Sequence, residues 1–389
     1  MKMPPYLLVL SLLMVTKVMA GEKVNWRGFV AQGVIQAEHS NYIEDDGGVS
    51  VKLTEIGLNA SYTLDTNLRV AGQVVYLNGG NRYPEGVRID YLFLDWSAVN
   101  TLDWQVNMHL GRVKNYHWLY SSTRDVPHTR PTIVLPQSIY FDNFRDVALG
   151  VDGLAVVANT NNDFGDWEFN WSYGKSTISE EQTKNLVGQI STGDLDQRFV
   201  HQANFVWHDQ KLRLGAGLLD SGFEYTQGPS DPFFDGNAEV QRLMIRAIYE
   251  TESWQLAAEI FRERTMYDDL VFPGFSNDST GEGGFVQGQY YINPELTLTA
   301  RLDIFDVNRK DRDGRIREQQ SGGTAPAYFG FQDQATFGVS WDFAKNWRVQ
   351  AEVHRVKGTG RLAPVFIPNT VLNDRKYWSI WGLQLAHWF

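Results

Sequence analysis

The chain ends in Tyr377-Trp378-Ser379-Ile380-Trp381-Gly382-Leu383-Gln384-Leu385-Ala386-His387-Trp388-Phe389, and this stretch decides how everything before it is read. Tyr377, Trp381, Leu383, Leu385 and Phe389 recur at a period of two, with polar interruptions at Ser379 and His387. Successive side chains of an extended chain point to opposite faces, so one face of this segment is oily and aromatic. In a soluble sheet such a face needs a second layer to cover it.

Working outward from this strand, the same alternation recurs along the chain. Trp167, Phe169, Trp171 and Tyr173 share a face, and Trp104, Val106, Met108 and Leu110 lie opposite Gln105, Asn107 and His109. Ile56, Leu58, Ala60, Tyr62 and Leu64 stand against Glu55, Asn59, Ser61 and Thr63; Leu68, Val70, Gly72, Val74 and Tyr76 stand against Arg69, Ala71 and Gln73. Near the start, Phe29, Ala31, Gly33, Ile35 and Ala37 oppose Gln32, Gln36 and Glu38. The apolar rows are expected to point outward and the polar rows inward. Tight turns at Asp65-Thr66-Asn67, Asp209-Gln210-Lys211, Asn293-Pro294-Glu295 and Ala344-Lys345-Asn346 alternate with long connections. Segments at 147–158, 199–208, 285–292 and 334–342, among others, bring the total to about sixteen. Short turns on one rim, long loops on the other and an even strand number predict an all-β fold, a closed antiparallel transmembrane β-barrel. Sixteen strands enclose enough space for an aqueous channel.

Composition agrees with export to a membrane. Met1-Lys2, an apolar run over 6–15 and Val18-Met19-Ala20 before Gly21 read as a signal peptide over 1–20, leaving 21–389 as one barrel domain. No later apolar run is long enough for a spanning helix. The chain has no cysteine, which excludes disulfides, thiolate metal sites and a cysteine nucleophile. Its formal charge is −11, and losing Lys2 and Lys17 with the leader lowers that to −13, which argues against a nucleic-acid partner. Aromatics at 13% beside a mean hydropathy of −0.34 suit a wall that is greasy outside and polar inside.

One connection stands apart. Residues 111–146 carry Val113-Lys114-Asn115-Tyr116-His117-Trp118-Leu119-Tyr120, then Arg124, Asp125, His128 and Arg130, three prolines, and finally Asp142, Arg145 and Asp146. No period survives there, and a connection this long is either functional or disordered; its aromatic content argues for function. It reads as a loop folded into the lumen. Arg27, Arg69, Arg112, Arg242, Arg246, Arg301 and Arg348 are expected on the inner wall. Facing Asp125, Asp142 and Asp146 they would set up a transverse field that sorts solutes by charge. Alternatively they are solvated, or paired with Glu55, Glu259, Asp303 and Glu352.

The aromatic terminal residue of an alternating last strand resembles the C-terminal signature of Gram-negative outer-membrane barrels. The whole layout, with a signal peptide, about sixteen strands and an extended third long loop after the fifth strand, is similar to that of the general diffusion porins. The resemblance implies passive diffusion of small hydrophilic solutes or ions through an outer-membrane pore, with lipid and lipopolysaccharide around it, a homotrimeric assembly and no cofactor. It further implies a constriction drawn from Lys114, Arg124, Asp125, Arg130, Asp142, Arg145 and Asp146, with Arg27, Arg69 and Arg112 on the wall.

Other readings remain open. A receptor or adhesin would work through the loops at 227–237, 276–284 and 308–330. A wall-borne hydrolase would need a Ser-His pair on the outer face, for which His201 and His208 are the nearest candidates. A secreted sandwich is a fourth reading. Asp311-Arg312-Asp313-Gly314 with Glu318 resembles part of a calcium loop, but its ligand series is incomplete, and it reads as a solvated loop. No HExxH or GxSxG spacing occurs.

Overall fold

The computed structural model describes residues 24–116, 119–142, 145, 150–362 and 375–389. The alternating segments form sixteen antiparallel strands: β1 (Val24–Glu38), β2 (Thr54–Asp65), β3 (Leu68–Asn78), β4 (Gly86–Asn100), β5 (Trp104–Lys114), β6 (Gly150–Asn162), β7 (Gly165–Lys175), β8 (Asp194–His208), β9 (Leu212–Thr226), β10 (Gly236–Glu250), β11 (Trp254–Asp268), β12 (Ser276–Tyr291), β13 (Leu296–Asp306), β14 (Phe331–Ala344), β15 (Trp347–Gly358) and β16 (Tyr377–Trp388). A two-residue stub, Val49–Ser50, adds to β1 beyond the end of β2. Each strand pairs with the next, and β1 pairs with β16 in the register Gly33↔Gln384, so the sheet closes without an edge. Closure continues past the last strand residue: Gly28 and Phe389 exchange both backbone hydrogen bonds at 3.0 Å. A closed ladder satisfies every strand with a neighbour, the condition for strands in hydrocarbon.

Outward rows are apolar, as expected from the alternation. Leu58, Leu110, Tyr173, Ile260, Leu302 and Leu383 are all exposed on the outer face. Trp96, Trp104, Trp254 and Trp341 are exposed near the short-turn rim, and Trp167 packs there against Trp207 at 6.2 Å. Such an aromatic girdle is characteristic of a barrel at the hydrocarbon boundary.

Three strand-level expectations are corrected. In β1 the row Phe29, Ala31, Ile35 and Ala37 is buried inside, and Gln32 is on the outer face, bonded to Thr54 at 2.6 Å and to the Val51 carbonyl at 2.9 Å. The reason is that the lumen beside β1 is not wet: Ile35 and Ala37 join Trp378, Ile380 and Val356 of the wall and Ile133 and Val134 of the long loop in one buried cluster. β12 begins at Ser276, so 276–284 is strand and not loop; it pairs in full with β11, from Asp268↔Ser276 to Trp254↔Tyr290. Arg112 pairs with Leu92 and Asp152 across the sheet, and therefore lies on the outer face, two residues from outward Leu110. Gly111, with φ of +129°, does not change that parity. The leader expected over 1–20 lies outside the described residues, as do 147–149, expected at the start of β6.

Candidate functional site

The long connection after β5 is drawn into the barrel by paired polar contacts with the wall. Glu352 of β15 accepts the Ile133 and Val134 N–H groups at 2.6 and 2.9 Å, and His354 sits beside it at 2.8 Å. Arg301 of β13 donates to the Val134 carbonyl at 3.0 Å and to Thr132 Oγ1 at 2.8 Å. Glu259 of β11 accepts from the Leu119 N–H at 3.2 Å and from the Tyr140 hydroxyl at 2.9 Å. Gln350 and Arg348 donate to the carbonyls of Arg130 and His128. Buried backbone groups need partners, and the wall's inward polar residues supply them. A carbon added at Gly382 would stand 3.3 Å from Ile133 Cδ1, so glycine leaves room for the loop to lie close against β16. Apolar packing completes the seat: Leu135, Ile139, Tyr140 and Phe141 share a cluster with inward Phe223, Phe261, Phe285 and Phe305.

Within this frame most of the predicted residues meet in one layer. Lys114 lies 2.6 Å from Asp90 and 3.1 Å from Asp125, and Asp125 also pairs with Arg145. Arg124 and Arg82 hold the two oxygens of Asp142, each at 2.8 Å, and the Tyr42 hydroxyl donates to the same carboxylate at 2.6 Å. Arg130 is 2.7 Å from Glu55 of β2. Every one of these charged side chains is buried. Burial pushes the Asp142 carboxyl up, but Arg82 and Arg124 outweigh it and hold Asp142 below the ordinary carboxylate range.

The remaining predicted residues are placed elsewhere. Arg27 and Arg69 are inward but stand nearer the short-turn rim, on a cavity of about 540 Å³ that Lys114, Tyr116 and Ser122 also line. Arg69 is paired with Asp95 at 2.6 Å. Arg112 is corrected from wall candidate to outer-face residue, in a two-bond pair with Asp152 at 2.7 and 2.8 Å. Asp146 lies outside the described residues. Arg242, with Glu263 as its partner, and Arg246 and Arg301 are inward and buried, while Arg348 is inward and held by Asp342 at 2.6 Å. Sequence reasoning missed Arg82, Tyr42 and Asp90. Arg82 ends a one-turn 3-10 helix in the connection between β3 and β4 and meets an acid sixty residues later, for which no local signal exists.

On the long-loop side of the layer lies a second cavity of about 400 Å³, lined by Asn41, Tyr42, Tyr83, Asp142, Lys184 and Arg361 among others. Two chambers thus abut one layer of buried ion pairs. Of the histidines considered for hydrolysis, His201 is outward and accepts from Trp171 Nε1 at 2.5 Å, and His208 lies 3.7 Å from Asp166. Neither has a serine hydroxyl bonded to it among the described residues.

A closed sixteen-stranded wall with an inward-folded third long loop defines a porin-like barrel. Solved structures share that fold. Outer-membrane expressed OmpT of Vibrio cholerae superposes with a TM-score of 0.59 at 12% identity, covering 96% of this chain and 100% of that one. An anion-selective porin from Comamonas acidovorans gives 0.58 at 14%, covering 94% and 99%, and Salmonella typhi OmpF in complex with daunomycin gives 0.57 at 11%, covering 94% and 97%. No protein-family model matches the sequence, and no curated protein matches it.

Proposed function

We propose that this chain is an outer-membrane porin through which small hydrophilic solutes or ions diffuse passively, and that the ion-pair layer around Asp125 and Asp142 is its constriction. The observation that carries the reading is the placement of that layer: a chamber of about 400 Å³ among the long connections lies on one side of it, and one of about 540 Å³ inside a wall whose outer face is apolar lies on the other. Loop residues Arg124, Asp125, Arg130, Asp142 and Arg145 provide the charge, with Lys114, Arg82 and Glu55 from the wall and its turns. Opposed buried charges at a narrow point select solutes by charge and orient dipolar ones.

The same reading places the mature chain, after removal of 1–20, in the outer membrane of a Gram-negative bacterium among lipid and lipopolysaccharide, as a homotrimer. Reconstitution of the folded mature protein into a planar bilayer tests it. Discrete conductance steps are expected; a correctly folded barrel that gives none refutes the pore.

A further inference from the structure

A further chamber on the long-loop rim, about 710 Å³, plays no part in the layer described above. Its walls are of two kinds. Phe141, Tyr267, Phe275, Phe305 and Phe329 present rings, and Arg361 presents a cation. Arg361 is 7% exposed, and its guanidinium lies 3.6 Å from the ring centroid of Phe305 and 5.1 Å from that of Phe141. One Nη donates to the Ser138 carbonyl at 2.5 Å, while Nε has no partner. Among the described residues no carboxylate lies within ion-pair distance of it. Of the two acids on the same chamber, Glu263 is taken by Arg242, and Asp311 accepts from the Ile316 and Arg317 N–H groups at 3.0 and 2.8 Å.

A buried charge is ordinarily paired, because its desolvation is otherwise uncompensated. Arg361 is therefore a buried cation with no carboxylate in direct contact among the described residues, at the mouth of a barrel and against aromatic rings. The guanidinium fork fits a carboxylate with two parallel hydrogen bonds. The rings beside it favour a flat apolar body on the same ligand, and a chamber of this volume falls in the range of small-molecule sites. Asn277, Ser279 and Asn308 also line the chamber and can bond to ring hydroxyls. Arg361 and Phe141 also line the 400 Å³ chamber that leads to the constriction, so a ligand released from Arg361 has a continuing route inward.

We propose that this chamber is a capture site for aromatic carboxylates, with Arg361 binding the carboxylate and Phe305, Phe329 and Tyr267 flanking the ring. The proposal rests on the pore reading for its purpose, but binding is measured separately from conduction. Benzoate is titrated calorimetrically into the folded mature protein in detergent, beside acetate, which has no ring, and benzyl alcohol, which has no charge. Saturable benzoate binding is expected, with neither comparator saturating over the same range, and Arg361→Gln should weaken it at least tenfold. Because Arg361 also anchors Ser138, Thr265→Trp gives a second test: Thr265 lines the chamber and is not among the hydrogen-bond or ring partners of the guanidinium, so the larger side chain should fill the chamber and abolish binding in a barrel of unchanged heat-modifiable mobility. Benzoate binding that is absent, matched by acetate, or unaffected by Thr265→Trp overturns the capture site, even if potassium chloride conductance is normal. Binding without any conductance would instead sink the pore.

Discussion

Arg130 of the long loop places its guanidinium 2.7 Å from the carboxylate of Glu55 on β2, and both side chains are buried. The pair joins the constricting segment to a strand that precedes it by seventy-five residues. Removing one partner of such a pair leaves the other buried and uncompensated, at a cost of about 3–5 kcal/mol. Glu55→Ala should therefore loosen the loop and give larger, noisier single-channel steps than the parent, while Glu55→Gln, which keeps a hydrogen-bond acceptor, should fall between. Steps identical in size and noise for all three proteins would show that the pair does not hold the constriction.

A second anchor is more local. Glu352 receives two consecutive backbone N–H groups, from Ile133 and Val134. Glu352→Ala strands both, and each unpartnered buried group costs about 1–3 kcal/mol. The expected outcome is protease cleavage within the loop at an enzyme concentration that leaves the parent intact, with the barrel still resisting unfolding in dodecyl sulfate. Equal resistance to cleavage would assign the loop's seat to its apolar contacts alone.

Acid should act on the same loop through Asp142. Its carboxyl pKa is depressed, so its contribution to loop stability is complete above the ordinary carboxylate pKa and is lost as pH falls through the lower folded value. Conductance should rise, and flicker, only at pH below the usual range for an exposed aspartate. Asp142→Asn should show the loosened state already at neutral pH and no further acid transition of that kind; a transition that persists in the variant would point to another group.

The sign of ion selectivity can be argued from the described charges. At the layer, Lys114, Arg82, Arg124, Arg130 and Arg145 face Asp90, Asp125, Asp142 and Glu55, and Arg27 adds a cation on the chamber beyond with no acid within ion-pair distance among the described residues. A small excess of positive charge predicts a mild anion preference. Under a potassium chloride gradient the reversal potential should have the sign for chloride, and Arg27→Glu should reverse or abolish it. A cation preference in the parent would contradict this count.

The chain terminus should matter to closure. Phe389 exchanges two backbone hydrogen bonds with Gly28 and packs edge-on against Trp26 at 5.8 Å. Deleting Phe389 removes both bonds, worth about 1–3 kcal/mol together, and uncovers Gly28. The heat-modifiable band should shift to its unfolded position at lower temperature than in the parent; an unchanged transition would make the last residue dispensable for the folded barrel.

Much of the fold was legible because strand alternation is a local signal and hydrocarbon enforces it on the outer face. Leu58, Leu110 and Tyr173 fall where their period puts them. On the inside the rule weakens, since the loop supplies an apolar surface of its own. Phe29 and Ile35 point inward because Gly57 leaves room for one ring and Ile133 meets the other side chain, facts that depend on residues far along the chain. The charged members of the loop were readable as a set: Arg124, Asp125, Arg130, Asp142 and Arg145 do converge with Lys114. Their partners were only half readable. Glu55 shows itself as an inward acid on an alternating strand, whereas Arg82 sits in a turn with no period, and Arg112 was assigned inward although its spacing from outward Leu110 is even.

The cluster that joins Ile35 and Ala37 of the first strand, Trp378 and Ile380 of the last, and Ile133 and Val134 between them has a bearing on biogenesis. The two strands that zip together to finish the cylinder also form the socket for its plug. Insertion of the segment after β5 and the final zippering are thus mutually dependent, and a chain whose plug arrives late would have to close over an empty greasy pocket.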